Sequence, residues 1–278
     1  MLDIRRMRQP DTGYAKMLTD IEQWGHLQID FGRLLRLDPE GCFVAWQDGL
    51  RVGIATTARY GGYAFVGNVI VEKEYRGSVI GPALMEHAVN YLDEKNIATI
   101  ELDGVLSAVA MYRHMGFQDK YLSLRFVRNP TEKALHSNAV PPCEASVEEM
   151  VDFDHRKTTI HRERLIGEML RDNPGRAFCL RTPDLRAYTV VRDRANGACA
   201  IGPLVAEDPN ACDSMISAVT SSFVGRPLAI GVPEINNAAV SIMRQYGFYQ
   251  CSPSLRMYRG PRLDYEDHIY GIVSADVG

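Results

Sequence analysis

Residues 71–89, VEKEYRGSVIGPALMEHAV, combine a charged turn with the start of a helix that carries an apolar stripe. The N-terminus of a helix offers unpaired backbone N–H groups and a positive dipole end, which together bind phosphate groups. Arg76 supplies a cation at this point, and Gly77 and Gly81 have no Cβ that would keep a phosphate away from the backbone. The pattern indicates a pyrophosphate-binding turn, although a solvated strand-to-helix connection with an exposed Arg76 would show the same residues.

Two residues of this turn depart from its most open form. Val79 stands where such loops usually carry a second glycine, so it keeps the N–H group but loses clearance and access to positive φ. Pro82 lies near the first helical turn, where a missing N–H group breaks no intrahelical bond. Val79 therefore weakens the prediction of an anion site, whereas Pro82 leaves it unchanged.

Three further residues are candidates for chemistry. Tyr112 lies in SAVAMYRHMGF, a predicted helix, and a phenol with a pKa near 10 can serve as a general acid. The same tyrosine could instead anchor its helix on a sheet, since tyrosine is commonly half-buried. His114 has no histidine or carboxylate at ligand spacing, so we expect no metal there. Asp103, at the end of the strand NIATIEL, could contact a substrate or could cap Gly104 or Val105.

Elements that would position these residues follow from periodicity. LDIRRMR alternates like a strand, and YAKMLTDIEQWG has apolar residues at helical spacing. CFVAWQDGLRVGIATTA contains Asp48–Gly49 between two apolar runs, which predicts a hairpin, and YAFVGNVIV continues it as a third strand. The predicted order is strand, one or two helices, three antiparallel strands, helix, strand, helix, strand.

This order and two separated motifs resemble the GNAT superfamily of acetyl-CoA-dependent N-acetyltransferases. The motifs are V-x-x-x-Y-R-G-x-x-I-G from Val71 to Gly81 and A-x-x-x-Y-x-x-x-G-F from Ala108 to Phe117, and the resemblance covers most of residues 1–128. It implies an α/β fold, a mostly antiparallel twisted sheet flanked by helices, with acetyl-CoA as co-substrate. The cofactor-binding residues that it implies are Val69, Ile70, Val71, Arg76, Gly77, Ser78, Val79, Ile80, Gly81 and Pro82.

The resemblance also implies a mechanism. Such enzymes transfer acetyl directly to an amine, and Tyr112 occupies the place of the tyrosine that protonates the departing thiolate. Some members use a glutamate as base on the strand before the cofactor loop, but YAFVGNVIV has no acid, and Glu72 is expected to be a solvated loop charge. Asp103 is the candidate for acceptor contact, and the base is not assigned. Val79 and the unassigned base favour a rival hypothesis, a GNAT fold that binds acyl-CoA without turnover.

The second half repeats the organisation. We predict a linker at residues 129–145, which contain three prolines, and a capping box from Ser146 to Glu149 opens the next helix. A-V-S-I-M-R-Q-Y-G-F at Ala239–Phe248 matches A-V-A-M-Y-R-H-M-G-F at Ala108–Phe117, so the sequence predicts tandem GNAT folds. The predicted domains are residues 1–128 and 146–278.

The second GNAT fold is predicted to be degenerate. Glu207 and Asp208 replace the Arg-Gly turn and would repel a pyrophosphate, and Met243 stands in the place of Tyr112. Asn236 matches a family asparagine, a tentative substrate contact, although a helix N-cap is the more ordinary role.

The full chain is similar to a two-domain GNAT group whose motifs are L-D-G-V, I-G-P-L, V-P-x-x-N and R-M-Y-x-G. Gly231 departs from an aspartate common in that group. The group supplies no acceptor.

Composition limits the remaining possibilities. The net charge of −4 argues against nucleic acid as the main partner. Six cysteines are scattered singly, which favours reduced thiols and a cytoplasmic protein, and no apolar run approaches a membrane span. We expect a small-molecule amine as the acceptor, and the oligomeric state is left open.

Overall fold

The computed structural model describes residues 1–132 and 145–278. The chain folds as two compact units, neither of which is continuous in sequence. The first unit contains Met1–Asp119, Met257–Arg262 and Ala275–Gly278, and the second contains Lys120–Arg256 and Leu263–Ser274. The predicted domain boundaries at residues 128 and 146 stay a prediction, and residues 133–144 of the predicted linker lie outside the described residues.

The first unit has the predicted order of elements. These are β1 (Leu2–Arg6), α1 (Thr12–Ile21), α2 (Gln28–Leu37), β2 (Cys42–Gln47), β3 (Leu50–Tyr60), β4 (Tyr63–Val71), α3 (Ile80–Glu94), β5 (Thr99–Gly104) and α4 (Val109–His114). Strands β1 to β4 pair antiparallel in sequence order, and β5 pairs parallel to β4. The predicted hairpin forms because Asp48 and Gly49 both take positive φ, which matches the twist of the flanking strands.

Helix α3 packs its predicted apolar stripe inward. Ile80, Leu84, Ala88 and Leu92 are buried, and the polar residues between them are exposed. Helical spacing of three and four residues places these side chains on one face, where they cover the sheet. This packing holds the start of α3 at the end of the loop that follows β4, where the sequence predicts an anion site.

The second unit repeats a mixed sheet with flanking helices. Its elements are β6 (Gln118–Arg128, which begins in the first unit), α5 (Val147–Thr158), α6 (Glu163–Asp172), β7 (Ala177–Arg181), β8 (Leu185–Asp193), β9 (Cys199–Ala206), α7 (Pro209–Ser222), β10 (Leu228–Pro233), α8 (Asn237–Gln245), β11 (Tyr249–Arg259, which ends in the first unit) and β12 (Ile269–Gly271). Strand order in this sheet includes β6-β10-β9-β8-β7. Strands β9 and β10 are parallel, like β4 and β5. The Ser146–Glu149 capping box is confirmed, since each residue bonds the other's backbone N–H.

One cysteine corrects an expectation. Cys179 is disulfide-bonded, so the expectation of six reduced thiols is wrong. Cys42, Cys199, Cys212 and Cys251 are free. Tertiary folding, which single-cysteine spacing does not reveal, decides whether two sulfur atoms approach each other.

Candidate functional site

Strands β4 and β5 separate before they end. Their parallel pairing stops at Val66 and Leu102, although β4 continues to Val71 and β5 to Gly104. A β-bulge in β4 lies at this point. Between Gly67 and Ile70, β4 has one residue more than the paired stretch of β3, and Asn68 takes a positive φ of 50°. The backbone of β4 beyond Val66 is therefore left with no β5 partner, and a gap opens between the two strands.

The loop from β4 to α3 turns at a glycine. After a short 3-10 turn, Gly77 takes a φ of +72°, a conformation that residues with a Cβ adopt only with strain. Val79 lies in the right-handed helical region, with φ −74° and ψ −6°, and 72% of its surface is exposed. A second glycine is therefore not required by the backbone at residue 79, which removes one of the two reasons that weakened the anion-site prediction.

Backbone donors are unpaired at this turn. Within residues 1–132 and 145–278, the N–H groups of Gly77, Ser78, Val79 and Gly81 have no hydrogen-bond acceptor, and no side chain caps α3. The Ile80 N–H lies 3.4 Å from Ser78 Oγ, a long contact. Unpaired N–H groups at the positive end of a 15-residue helix attract a phosphate anion. These unpaired donors suit a pyrophosphate, and its binding at this turn stays a prediction.

Arg76 makes two contacts that the sequence did not reveal. Its Nε donates to the Val71 carbonyl at 2.9 Å, and its NH2 group donates to the Glu22 carboxylate at 2.5 Å. These bonds hold the cofactor loop against the end of β4 and against the segment that joins α1 to α2. A guanidinium has five N–H donors, so the predicted phosphate contact of Arg76 stays open to it and stays a prediction.

Tyr112 packs where β5 ends. A Cβ on Gly104 would lie 2.9 Å from Tyr112 Cε2, so this glycine is what admits the ring. Only 6% of the residue is exposed, and burial raises the pKa of Tyr112 to about 12. In the part of the chain that the structure describes, its hydroxyl has no hydrogen-bond partner. Tyr112 therefore carries a protonated phenol through the neutral range, beside the end of the strand that borders the gap.

The acids of β5 differ in exposure. Glu101 is fully buried and accepts a hydrogen bond from Tyr63 Oη at 3.0 Å, whereas Asp103 is partly exposed. Asp103 lies beyond the last residue that pairs with β4. That position puts Asp103 next to the gap, and its predicted contact with the acceptor stays a prediction.

A groove of about 560 Å³ continues from the start of α3. Arg259 at its wall forms a double hydrogen bond with Asp93, at 2.8 and 3.1 Å. The groove is lined by Pro82, Glu86, Val89, Asn90, Asp93, Met111, His114, Met115 and Arg259. The sequence does not reveal this groove, because its walls come from α3, α4 and a C-terminal strand.

The corresponding helix terminus of the second unit is already occupied. Asp208 caps α7 by accepting from the Ala211 N–H at 2.9 Å, and Arg186 binds both Glu207 and Asp208. A carboxylate of the chain itself therefore satisfies the donors that an external phosphate would need. The predicted repulsion is partly compensated, because Arg186 and Lys157 pair with these acids.

The gap between β9 and β10 is filled by the chain. Their pairing extends only from Leu228 to Ile230 on β10, and β12 then pairs with β9, at Ile269 opposite Val205. The Ile272 N–H donates to the Gly231 carbonyl at 2.9 Å, and a Cβ on Gly231 would lie 2.7 Å from Ile272 Cγ1. The departure to glycine at residue 231 therefore makes room for this segment. The strand β12 has only three residues, and no pattern in the sequence predicts it.

Asn236 and Met243 both contribute to the structure of the second unit. Asn236 Oδ1 accepts from the Ala239 N–H at 3.0 Å, and its Nδ2 donates to the Ile269 carbonyl at 3.0 Å, so the N-cap role is present. Both ends of this amide are engaged, and its tentative substrate role stays a prediction. Met243 is fully buried in the core of the second unit.

The described residues contain neither a membrane-spanning helix nor a cluster of metal ligands. Over 1–132 and 145–278, no helix has the length and apolar character needed to cross a membrane. Across the same ranges, no three histidine, cysteine, aspartate or glutamate side chains are grouped as a metal site.

Comparisons with known proteins match both halves of the chain to one family. Residues 2–117 match the model of the "Acetyltransferase (GNAT) family", and residues 150–271 match that of the "Acetyltransferase (GNAT) domain". Holothin acyltransferase from Pseudoalteromonas sp. (strain SANK 73390) is 24% identical over 261 residues, which are 92% of this chain and 88% of the relative.

Solved structures show the same fold. A proposed acetyltransferase from Pyrococcus horikoshii superposes with a TM-score of 0.85 at 22% identity, covering 100% of this chain and 96% of the other. A tandem GNAT protein from the clavulanic acid biosynthesis pathway gives 0.65 at 16% identity, with 94% and 100% covered. GNAT enzymes use acyl-CoA co-substrates and act on small-molecule or protein acceptors. With both halves matched, the chain belongs to the GNAT acetyltransferases and is an acyltransferase that carries two GNAT domains in tandem.

Proposed function

We propose that the first unit transfers acetyl from acetyl-CoA directly to the amine of a small molecule. The observation that carries the proposal is the uncapped start of α3, with the unpaired N–H groups of Gly77, Ser78, Val79 and Gly81, next to the gap between β4 and β5. The turn would hold the pyrophosphate. Backbone groups of Val69, Ile70 and Val71, which have no partner on β5, would bind the extended arm of the co-substrate.

Tyr112 supplies the general acid in this proposal. The amine nitrogen attacks the thioester carbon, the new C–N bond forms, and the C–S bond breaks to release the thiolate of CoA. The phenol of Tyr112 gives that thiolate its proton. Because burial raises the pKa of Tyr112 to about 12, the phenol remains a donor at neutral pH.

The second unit binds no acyl-CoA in this proposal. Two observations support it: Asp208 already caps α7, and β12 already lies against β9 beyond the end of its pairing with β10. An acyl-CoA would have to displace both a hydrogen-bonded carboxylate and a paired strand. Calorimetry with acetyl-CoA should therefore give one site per chain, and two sites would contradict the proposal.

Tyr112→Phe tests the chemical step. Wild-type protein is given acetyl-CoA with benzylamine, aniline, glucosamine, spermidine or alanylalanine, and free thiol is followed with a chromogenic disulfide. On the amine used fastest, Tyr112→Phe should lower kcat by about 10²–10⁴-fold while the Kd of acetyl-CoA changes little, because the proton is needed only after the transition state begins to form.

Tyr270→Phe is the matched control. Tyr270 lies in β12, is also buried, and has its pKa raised to about 12 by burial. It should keep wild-type turnover. A Tyr112→Phe enzyme as fast as Tyr270→Phe would remove Tyr112 from the mechanism, and a wild-type protein that acetylates none of the five amines would count against an amine acceptor of this class.

A further inference from the structure

A polar cluster lies on the bulge of β4. Asp276, from the C-terminal segment of the first unit, places its Oδ2 3.5 Å from Asn68 Nδ2 and 3.5 Å from His26 Nε2. Asn68 is the bulge residue itself, and His26 lies between α1 and α2. Three segments far apart in sequence therefore meet one residue before the stretch Val69–Val71 that we expect to bind the co-substrate.

Two atoms of this cluster are buried without a partner. Among the described residues, His26 Nδ1 and Asn68 Oδ1 form no hydrogen bond. Asn68 is only 3% exposed, and the side chain of His26 is 15% exposed. A buried acceptor with no donor carries a desolvation cost of roughly 1–3 kcal/mol, so such atoms usually have a function or a bound group. Both are suited to accept an N–H bond.

The cluster and the cofactor loop lie on opposite faces of β4. A Cβ on Gly67 would lie 2.4 Å from the Asp276 carbonyl, so the C-terminal segment covers the face to which Gly67 points. The bulge then reverses the alternation, and a Cβ on Gly81 of α3 would lie 3.7 Å from Val71 Cγ2 on the other face. Between these two faces, the backbone of β4 beyond Val66 has no β5 partner.

We propose that His26 is the base that removes a proton from the acceptor amine, and that Asp276 is the residue that positions it. The inference rests on the proposed acetyl transfer. In this proposal the proton of the neutral His26 ring is on Nε2, which lies 3.5 Å from Asp276 Oδ2, and Nδ1 is the acceptor. As the C–N bond forms and the C–S bond breaks, the amine proton moves to His26 Nδ1 and the phenol proton of Tyr112 moves to the thiolate. The phenolate and the imidazolium then return to neutrality through water.

The surroundings of His26 carry few charges. Its ring lies near Trp24 at 6.3 Å and near Phe31 of α2 at 5.7 Å between centroids, and both rings are uncharged. Glu22, which directly follows α1, is paired with Arg76. Glu101 of β5 lies beneath the same face, because it pairs in register with Phe65 and bonds Tyr63. Within the described ranges, Asp276 is the charged group in contact with His26.

A merely structural role would make the cluster a clamp for the C-terminal segment. That segment is also held by Tyr60 Oη, which donates to the Val277 carbonyl at 2.9 Å. A clamp in which Nε2–H faces Asp276 would show the same tautomer, but it requires no change in the rate or the pH profile of turnover. The kinetics therefore separate the base from the clamp, and the tautomer tests whether Nδ1 can accept a proton at all.

The first measurement is the tautomer of His26. Long-range ¹H–¹⁵N spectra of the seven histidines, with His26 assigned by its loss in His26→Gln, should show the Nε2–H form. This form should lose its preference in Asp276→Asn. An Nδ1–H tautomer in the wild-type protein would overturn the proposal, because Nδ1 could then accept no proton. This readout needs no acceptor.

The second measurement is the pH dependence of turnover, on the amine that the wild-type enzyme uses fastest. The wild-type kcat/KM should rise with pH, because a base must be unprotonated to accept the amine proton. His26→Gln should lower kcat by about 10²–10⁴-fold and abolish this limb, with the Kd of acetyl-CoA unchanged. Asp276→Asn, an isosteric change, should lower kcat less and serves as the second variant if His26→Gln does not fold.

Controls separate the possible failures. His161→Gln should keep the wild-type profile, because His161 belongs to the second unit and stacks on His155. If the wild-type enzyme is active and His26→Gln keeps both its rate and the rise of kcat/KM with pH, this inference alone is overturned. It is also overturned if that rise is lost in Glu101→Gln and kept in His26→Gln. A wild-type enzyme that acetylates no amine overturns the proposed function itself.

Discussion

A glycine in the loop from β4 to α3 could be needed for its positive φ or for clearance around the backbone. Replacing Gly77 with alanine separates these two reasons. At a φ of +72°, a Cβ costs about 1–2 kcal/mol from the backbone alone. Packing adds nothing, because no heavy atom lies within 4 Å of a Cβ built on Gly77. The penalty of Gly77→Ala is therefore purely conformational.

The same substitution at Gly81 is the matched control. Gly81 is helical, and an added Cβ would make an ordinary contact of 3.7 Å with Val71. Alanine is favoured over glycine inside a helix by up to about 1 kcal/mol. Gly81→Ala should therefore keep or raise the melting temperature and leave the Kd of acetyl-CoA near its wild-type value.

Calorimetry and thermal unfolding on both variants complete the test. An exposed turn can relax in the free protein, and the cost of Gly77→Ala then appears on binding, as a Kd about 5–30-fold weaker. If the turn cannot relax, the cost appears as lower stability, so the two losses together should amount to about 1–2 kcal/mol. Unchanged Kd and unchanged stability in Gly77→Ala would refute the reasoning. A Gly81→Ala variant that binds ten times more weakly would show that the phosphate needs clearance at residue 81.

Three further predictions concern the two helix termini. Val79→Gly should leave the Kd of acetyl-CoA, measured by calorimetry, within about threefold of wild type or tighten it. The Val79 side chain is exposed, and glycine keeps the backbone N–H that would bind the phosphate. Asp208→Ala should cost about 1 kcal/mol in urea unfolding through the lost N-cap of α7, with no effect on acetyl-CoA affinity. Arg76→Ala should weaken binding by on the order of 1.5–3 kcal/mol if its guanidinium also meets a phosphate, whereas Glu22→Gln removes only a surface pair and should weaken binding by less than about 1 kcal/mol. Equal losses in these two variants would limit Arg76 to bracing the loop.

Local signals predicted most of the first unit from the sequence. The Asp48–Gly49 hairpin and the stripe of α3 depend on neighbours within a few residues, and both are present. The helix that carries Tyr112 is likewise present, as α4. In each case the chemistry of a short segment is sufficient to determine its conformation.

Contacts between distant segments were not predictable in this way. The bond from Arg76 to Glu22 spans 54 residues, and the approach of Asp276 to Asn68 spans 208. The identity of the candidate base depends on the second of these contacts. No periodicity or motif in a single sequence records a pairing that only the folded chain creates, so the sequence does not single out His26.

A helix N-terminus can satisfy its unpaired N–H groups in two ways, and this chain contains both. At α3 the preceding residue is Val79, which has no polar side chain, so the donors remain for an external anion. At α7 the preceding residue is Asp208, whose carboxylate accepts from Ala211 and is itself paired with Arg186. Because the internal carboxylate is always present at effectively high concentration, a soluble phosphate would have to displace it and separate its ion pair. The residue before each helix thus supports the proposal that a single fold, present twice, binds its co-substrate once.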